Sequence, residues 1–348
     1  MPNTTLQNSD NSAASSRYSR QILFPGIGVQ GQQRLAKSHV AIIGCGATGA
    51  ATAALLARAG VGHLTLIDRD FVEASNLQRQ MLFDEADARD ALPKAEAARR
   101  KLASINSDVT VTAHVADLVP ATLPLLENAH LILDATDNFE TRYLINDFCV
   151  DQNRPWIYAA AVGAYATGMN ILPGESACLA CLFPDPPTGW VETCETAGIL
   201  NSAANLAASL QVTEALKFLT GSIVQMRRTF LAWDLWANQH SEVSASTPRP
   251  DCQVCGQRIF RHLAGENRPH ITLCGRNSVQ IHERSRPLDL DALRQRLAPL
   301  GQVHGNSMLL RFTSGAHTLS VFADGRAIIQ GTTDPAVARS LYARFIGS

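Results

Sequence analysis

Two groups of residues in this 348-residue chain have the types and spacing that chemistry requires. The first is Gly44-Cys45-Gly46-Ala47-Thr48-Gly49, a G-x-G-x-x-G loop followed about 20 residues on by Asp68. Glycines let a backbone approach a phosphate, a helix N-terminus favours its charge, and an acid at that distance accepts from a ribose hydroxyl. Alone, the loop suits a dinucleotide as well as ATP, and a glycine turn without a ligand is the structural alternative. Arg79, in the stretch from Asp70 to Gln80, and Lys94, in Pro93-Lys94-Ala95-Glu96, add cations for which hydride transfer has no use. Phosphoryl or adenylyl transfer does use them, because negative charge grows on the leaving pyrophosphate. Either one in isolation reads as a solvated surface cation. Asp137, in Ala135-Thr136-Asp137-Asn138, follows an expected strand at its C-terminal end, where open α/β sheets put ligand groups. Its carboxylate suits Mg²⁺, or caps the helix beginning at Phe139, or both.

The second group is cysteine. Cys178/Cys181 and Cys252/Cys255 are two C-x-x-C pairs about 70 residues apart, a spacing that fits a tetrahedral Cys₄ zinc site with no open position. Such a metal is structural and tethers the returning chain to its domain. A redox dithiol would open a helix after a strand. Pro and Gly flank the first pair and Pro250-Asp251 precedes the second, so neither is expected to do so, and Gly256 suits the tight turn that follows. Cys194 is the remaining candidate, in Glu192-Thr193-Cys194-Glu195-Thr196-Ala197-Gly198 ahead of a helix. A helix N-terminus depresses a thiol pKa and the neighbouring glutamates raise it, so local chemistry leaves reactivity and simple packing both open. Cys45, Cys149 and Cys274 read as packing residues.

These residues need a frame. Apolar runs at 39–43, 63–68, 109–113, 131–135 and 156–161 read as strands, and helices are expected at 17–37, 50–59, 94–105, 139–152 and 201–219. The alternation implies an α/β fold with a doubly wound, mainly parallel sheet. The Pro/Gly/Cys-rich stretch 173–194 should be a crossover loop. After Cys255 short strands at 278–282, 308–312, 318–322 and 327–330, with helices at 289–297 and 335–345, suggest a small α+β module. The expected organisation is a disordered tail at 1–16, a domain with the zinc knuckle over 17–260 and the α+β module over 261–348. Net charge is -1, which gives no global field toward nucleic acid or an acidic membrane. The sequence has no charge-free apolar run of about 18 residues, the length that a spanning helix needs. The N-terminus lacks the apolar core of a signal peptide, so the expected compartment is the cytoplasm, where the 8 cysteines stay reduced.

Arg17-Tyr18-Ser19-Arg20-Gln21, G-C-G-A-T-G, Asp68, S-N-L-Q-R-Q, P-K, A-T-D-N and the two C-x-x-C pairs stand in the order of the ThiF/MoeB/HesA and ubiquitin-activating family, which this chain resembles over about 17–256. Cys45 and Ala47 depart from the Leu and Gly usual there, with little expected effect. The resemblance implies a Rossmann-like adenylation domain whose ATP site is lined by Gly46, Asp68, Asn76, Arg79, Gln80 and Lys94, within the loop bounded by Gly44 and Gly49. It implies Mg²⁺ on Asp137 and a homodimer in which Arg20 reaches the neighbour's ATP. It also implies a role for Cys194, in a matching T-C-x-x-A-G context, in sulfur transfer or a covalent link to a carrier. The implied reaction is adenylylation of the C-terminal Gly-Gly carboxylate of a small ubiquitin-like sulfur carrier. A cysteine desulfurase or persulfide carrier would then donate sulfur. The C-terminal tail resembles that of bacterial ThiF-type proteins and has no cysteine-bearing rhodanese loop. That favours a ThiS-like carrier and thiamine thiazole synthesis over a MoaD-like carrier and molybdopterin. An NAD-dependent oxidoreductase, a non-catalytic scaffold for a ubiquitin-like protein and a tRNA-modifying relative are the other readings, the last without a basic patch to support it.

Overall fold

β-Branched apolar runs and alanine-rich segments alternate along the first half of the chain, and the computed structural model shows what that alternation builds. The structure describes residues 17–186, 196–264, 272–273, 277–281 and 288–347. It begins with two helices, α1 (Ser19–Ile22) and α2 (Gly28–Ala36), where the sequence suggested one. Pro25 separates them by disfavouring a helical Phe24 and supplying no N–H. The Phe24 carbonyl accepts from both Ile27 and Gly28, and Gly28 turns the chain at φ +59.

Strands β1 (His39–Ile43), β2 (His63–Ile67), β3 (Thr110–His114), β4 (Leu131–Asp134) and β5 (Trp156–Val162) lie in the order β3-β2-β1-β4-β5. All four pairings are parallel. β4 is buried along its whole length, as expected of a strand covered on both faces. The order reverses beside β1, which creates the crevice where open α/β sheets bind ligands. The helices are α3 (Ala47–Ala59), α4 (Glu85–Arg89), α5 (Lys94–Ile105), α6 (Phe139–Asp151), α7 (Leu179–Leu182) and α8 (Asn201–Thr220). Small residues along α3 let it pack closely on α8. Buried Gln211 of α8 donates to the carbonyls of Asp134 (2.8 Å) and Ile157 (2.9 Å), clamping the helix across β4 and β5.

Beyond β5 the sheet continues with β6 (Tyr165–Ile171), β7 (Thr229–Asp234) and β8 (Gln239–Ser244), all antiparallel. The apolar alternation of these strands is too weak to mark them in the sequence, and pairing to β5 rather than local pattern makes them. A second sheet holds β9 (Thr272–Leu273), β10 (Ser278–Ile281), β11 (Gln302–Gly305), β12 (Leu309–Ser314), β13 (His317–Phe322) and β14 (Ala327–Gln330), in the order β11-β12-β13-β14-β10-β9. One face carries α9 (Leu290–Leu297) and α10 (Pro335–Phe345) over a core that includes Val279, Phe312, Leu319, Val321 and Tyr342. The other face turns inward: Leu309, Phe322 and Ile328 pack on Phe71 and Ala91 of the first module. No described helix is long and apolar enough to cross a membrane.

Candidate active site

The glycine loop joins β1 to α3, and each glycine there has its own reason. Gly44 turns at φ +89, and a Cβ on it would lie 2.7 Å from the Ala135 carbonyl. A Cβ on Gly49 would be 1.8 Å from the Gly44 carbonyl, so helix and loop touch only because no side chain intervenes. Gly46 differs. It is the N-cap of α3 in an extended conformation, and a Cβ there would meet nothing within 4 Å. Its backbone faces open space at a helix N-terminus, where an anion is favoured.

Asp68 closes the side of that space. It stands at the end of β2, partly exposed, and accepts from Cys45 N–H (2.6 Å) and Asp70 N–H (2.7 Å). Burial pushes its carboxyl up, opposed by the Lys94 ammonium and the two N–H donors. Lys94 is 3% exposed, opens α5 and pairs with Asp70 at 3.3 Å. Its backbone N–H donates to the Asp70 carbonyl (2.8 Å), so the segments 68–70 and 93–94 are held together through main chain and side chain. The cation therefore lies beside the loop, and the reading of Lys94 as a solvated surface residue does not hold.

Asn76 and Gln80 are buried on the segment between them. Asn76 accepts from Glu73 N–H (3.1 Å), while Gln80 Oε1 finds no hydrogen-bond partner among the described residues. A buried, unpaired side-chain oxygen is rare unless a ligand or water meets it. Arg79 is half-exposed, and its Nη1 donates to the Ser75 carbonyl (3.0 Å). Asp137 is exposed just past β4 and feels the charges of Arg69 and Arg142. It does not cap α6; that place belongs to Asn138, whose side chain accepts from Thr141 N–H (2.8 Å).

Arg20 is not brought to this loop. It is exposed on α1, whose neighbours Tyr18 and Gln21 are tied to the C-terminal end of α3: Asn106, just past α5, donates from Nδ2 to both Tyr18 Oη (2.7 Å) and the Ala57 carbonyl (2.7 Å), and Gln21 donates to the Ala59 carbonyl (2.8 Å). The loop is at the other end of α3, about 18 Å away at 1.5 Å per residue. Cys194 and Cys274 lie outside the described residues. Cys45 and Cys149 are fully buried in the two large cores, and burial raises both thiols well above their ordinary range.

Cys178, Cys181, Cys252 and Cys255 converge so that all four Sγ atoms lie within 4.8 Å of one another. Three separations are 3.8 Å (Cys178–Cys181), 3.6 Å (Cys178–Cys252) and 3.3 Å (Cys181–Cys255). A tetrahedron with metal–sulfur bonds of about 2.3 Å has edges of about 3.8 Å, so the donor set fits zinc in type and size. Arg249 N–H donates to Cys181 Sγ (3.4 Å), an outer contact of the kind that steadies a metal thiolate. One detail of the sequence reading is corrected: Cys178 does open a helix, the single turn α7. What favours a metal over a redox dithiol is instead that the second pair meets the first. Gly256 is where the knuckle is tightest, since a Cβ there would be 2.3 Å from the Pro250 carbonyl.

The residues behind the loop leave little trace in the sequence. Asp134 and Arg142 form a buried pair (3.0 Å) whose acid also accepts from Thr136 N–H (2.9 Å) and Oγ1 (2.6 Å), fixing the chain just before Asp137. Arg69 pairs with Asp117 at 2.9 Å. Only Asp70, in the run Asp68-Arg69-Asp70, carried a local signal.

Fold and site are those of a Rossmann-like α/β protein bearing a four-cysteine knuckle. The chain belongs to the ThiF family, whose profile matches residues 18–254. It is 45% identical over 336 residues to the sulfur carrier protein ThiS adenylyltransferase of Bacillus subtilis (strain 168), covering 95% of this chain and 99% of that one. It is 39% identical over 244 residues to the adenylyltransferase and sulfurtransferase MOCS3 of Sus scrofa, covering 70% of this chain but 53% of that protein. Among solved structures, E. coli MccB with ATP superposes with a TM-score of 0.61 at 26% identity, covering 69% of this chain and 74% of that one.

Proposed function

We propose that this chain adenylylates the C-terminal Gly-Gly carboxylate of a ThiS-like sulfur carrier with ATP. The observation that carries the reading is the 45% identity to a ThiS adenylyltransferase over nearly the whole of both chains, beyond the end of the family core and into the second sheet. The MOCS3 match supports a MoaD-like carrier less well, because it covers only 70% of this chain. In this reading residues 17–260 form the adenylation domain with its zinc knuckle, and 261–348 a separate module.

The carrier carboxylate attacks the α-phosphorus in line, the bond to the bridging oxygen breaks, and pyrophosphate leaves with its electrons. Gly46 and the start of α3 receive phosphate oxygens, and Asp68 takes the ribose hydroxyls. Lys94 and Arg79 balance the charge that develops on the leaving group, which is electrostatic and positional catalysis. Asp137 would hold Mg²⁺, which adds positive charge to the phosphate chain. Arg20, remote from its own loop, fits service in the site of a second copy in a homodimer. Zinc on the four cysteines ties the segment around 252–255 to the one around 178–181 and takes no part in the reaction. A persulfide then displaces AMP from the mixed anhydride to give an acyl disulfide, and a second thiol attacks the donor's sulfur, forming a disulfide with it and releasing the thiocarboxylate for thiazole synthesis in the cytoplasm. Cys194 is the candidate relay for that sulfur.

The test is ATP–pyrophosphate exchange with candidate carriers ending in Gly-Gly, and mass detection of the adenylate. Exchange that depends on a ThiS-like carrier and falls about 10²–10³-fold in Lys94→Met supports the reading. Activity without a carrier, or nicotinamide turnover by absorbance, ends it. Cys194→Ala should form adenylate normally while blocking thiocarboxylate.

A further inference from the structure

The inward face of the second sheet meets the first module at the segment that carries Asp68 and Asp70. Arg326, 1% exposed and just ahead of β14, donates from Nη1 to the Arg69 carbonyl (2.9 Å). Residue 69 thus has its carbonyl held from behind, with the ribose-side acid before it and the Lys94 partner after it. Gln280 of β10 donates to Asp117 Oδ2, while Asp117 Oδ1 accepts from the Arg69 side chain (2.9 Å). Phe71, two residues further on, bridges to Pro93 next to Lys94 and is covered by Leu309, Phe322 and Ile328. Both segments that set the Asp68 and Lys94 positions therefore lean on the second sheet.

Burial of Arg326 does not suit a purely structural role. Its Nε and Nη2 find no hydrogen-bond acceptor among the described residues, and its two carboxylate neighbours, Asp324 at 3.5 Å from Nε and Asp117 at 4.0 Å from Nη1, are ion-pair partners only. A buried cation with unmet donors works against folding, and an apolar residue of its size is often as stable or more so. The guanidinium is stacked over Phe322 at 4.0 Å, so a flexible apolar side chain would fill its place. Apolar contact with Phe71 and Ala91 covers the inward face of the sheet, but a non-directional contact does not fix a carbonyl.

We propose that Arg326, with Gln280 behind Asp117, is a positioning residue that makes the C-terminal module part of the nucleotide site by holding the Asp68–Asp70 turn. The inference rests on the nucleotide reading above for its ligand, and on the structure alone for the held turn. The module is thereby a component of ATP binding rather than an appendage.

The experiment uses full-length Arg326→Met. ATP affinity is measured by calorimetry without carrier, steady-state KM is measured for ATP and for carrier, and amide hydrogen exchange is followed across residues 68–72. The expected result is an ATP dissociation constant and KM raised about tenfold, an unchanged carrier KM, and amide exchange faster by at least tenfold, with the melting temperature held or raised. Gln280→Leu should move the same readouts in the same direction, about threefold, and decides the matter if Arg326→Met does not fold. A lower melting temperature with ATP affinity within twofold of wild type and exchange unchanged would overturn the proposal and leave a structural role. Wild-type protein that binds no ATP would sink the nucleotide reading instead, and exchange at 68–72 would still decide whether the turn is held.

Discussion

An alanine at position 46 puts one methyl group where the glycine loop's backbone faces open space. Gly46 has φ −76 and ψ −150, which alanine tolerates, and its Cβ would touch nothing within 4 Å. Folding should therefore hardly notice. The unfolded chain loses entropy worth about 0.4–1 kcal/mol in favour of the variant. Alanine is the poorer N-cap by a comparable amount. The two offset, leaving a net change within about 1 kcal/mol, or roughly 3 °C in melting temperature for a domain of this size. A phosphate oxygen at hydrogen-bond distance from this backbone would instead meet the methyl and be pushed outward. Losing one charge-assisted hydrogen bond costs about 1.5–3 kcal/mol, so ATP affinity should fall by roughly 10- to 100-fold. Calorimetric titration of Gly46→Ala with ATP, beside a thermal melt, reads both numbers. Affinity within twofold of wild type would refute the reasoning, because it would mean that no ligand approaches Gly46. Gly49→Ala is the contrast. Its Cβ would be 1.8 Å from the Gly44 carbonyl, so it should lose the fold along with the nucleotide.

Cys181→Ser should lose one equivalent of zinc by elemental analysis and drop the melting temperature by about 10 °C or more, since the folding energy of a structural zinc site is held in all four ligands. Full metal content in the variant would contradict the Cys₄ assignment. Asp147 gives a pH test. It is buried on α6 and accepts from His262 N–H (3.0 Å), and burial raises its carboxyl from 3.8 to about 6. The folded protein holds this proton more tightly than the unfolded chain, so the stability linked to it is present in full below the unfolded value and is lost as pH rises through about 6. Asp147→Asn should thus melt like wild type near pH 4 and be more stable by about 1–3 kcal/mol at pH 7.5. A variant less stable than wild type at pH 7.5 would show that the ionised acid is paid back elsewhere.

Much of the site was legible as spacing. The G-x-G-x-x-G loop and the C-x-x-C pairs constrain a few consecutive residues, and local backbone geometry carries their meaning. The run of strands and helices around β1 to β5 was equally plain, because residues buried on both faces must be apolar. β6 to β8 were not, since their residues become strands only by pairing to a neighbour already in place. Arg69, Asp117, Gln280 and Arg326 gave no signal: the hydrogen bonds that join them span 48 to 257 residues.

The sequence by itself determined that a glycine loop, an acid and a lysine stand in the order a nucleotide site needs, and that four cysteines come in two ligand pairs. Only the tertiary structure decided that Lys94 is buried against Asp70, that Gly46 alone among the loop glycines opens outward, and that the cysteine pairs meet. It also separated Arg20 from its own loop and set the second sheet against residues 69–71. The physical reason is range. Turn geometry and burial periodicity act over a few residues and leave their mark in composition. Ion pairs and sheet-on-strand packing join groups far apart in the chain, and no local pattern records which will meet.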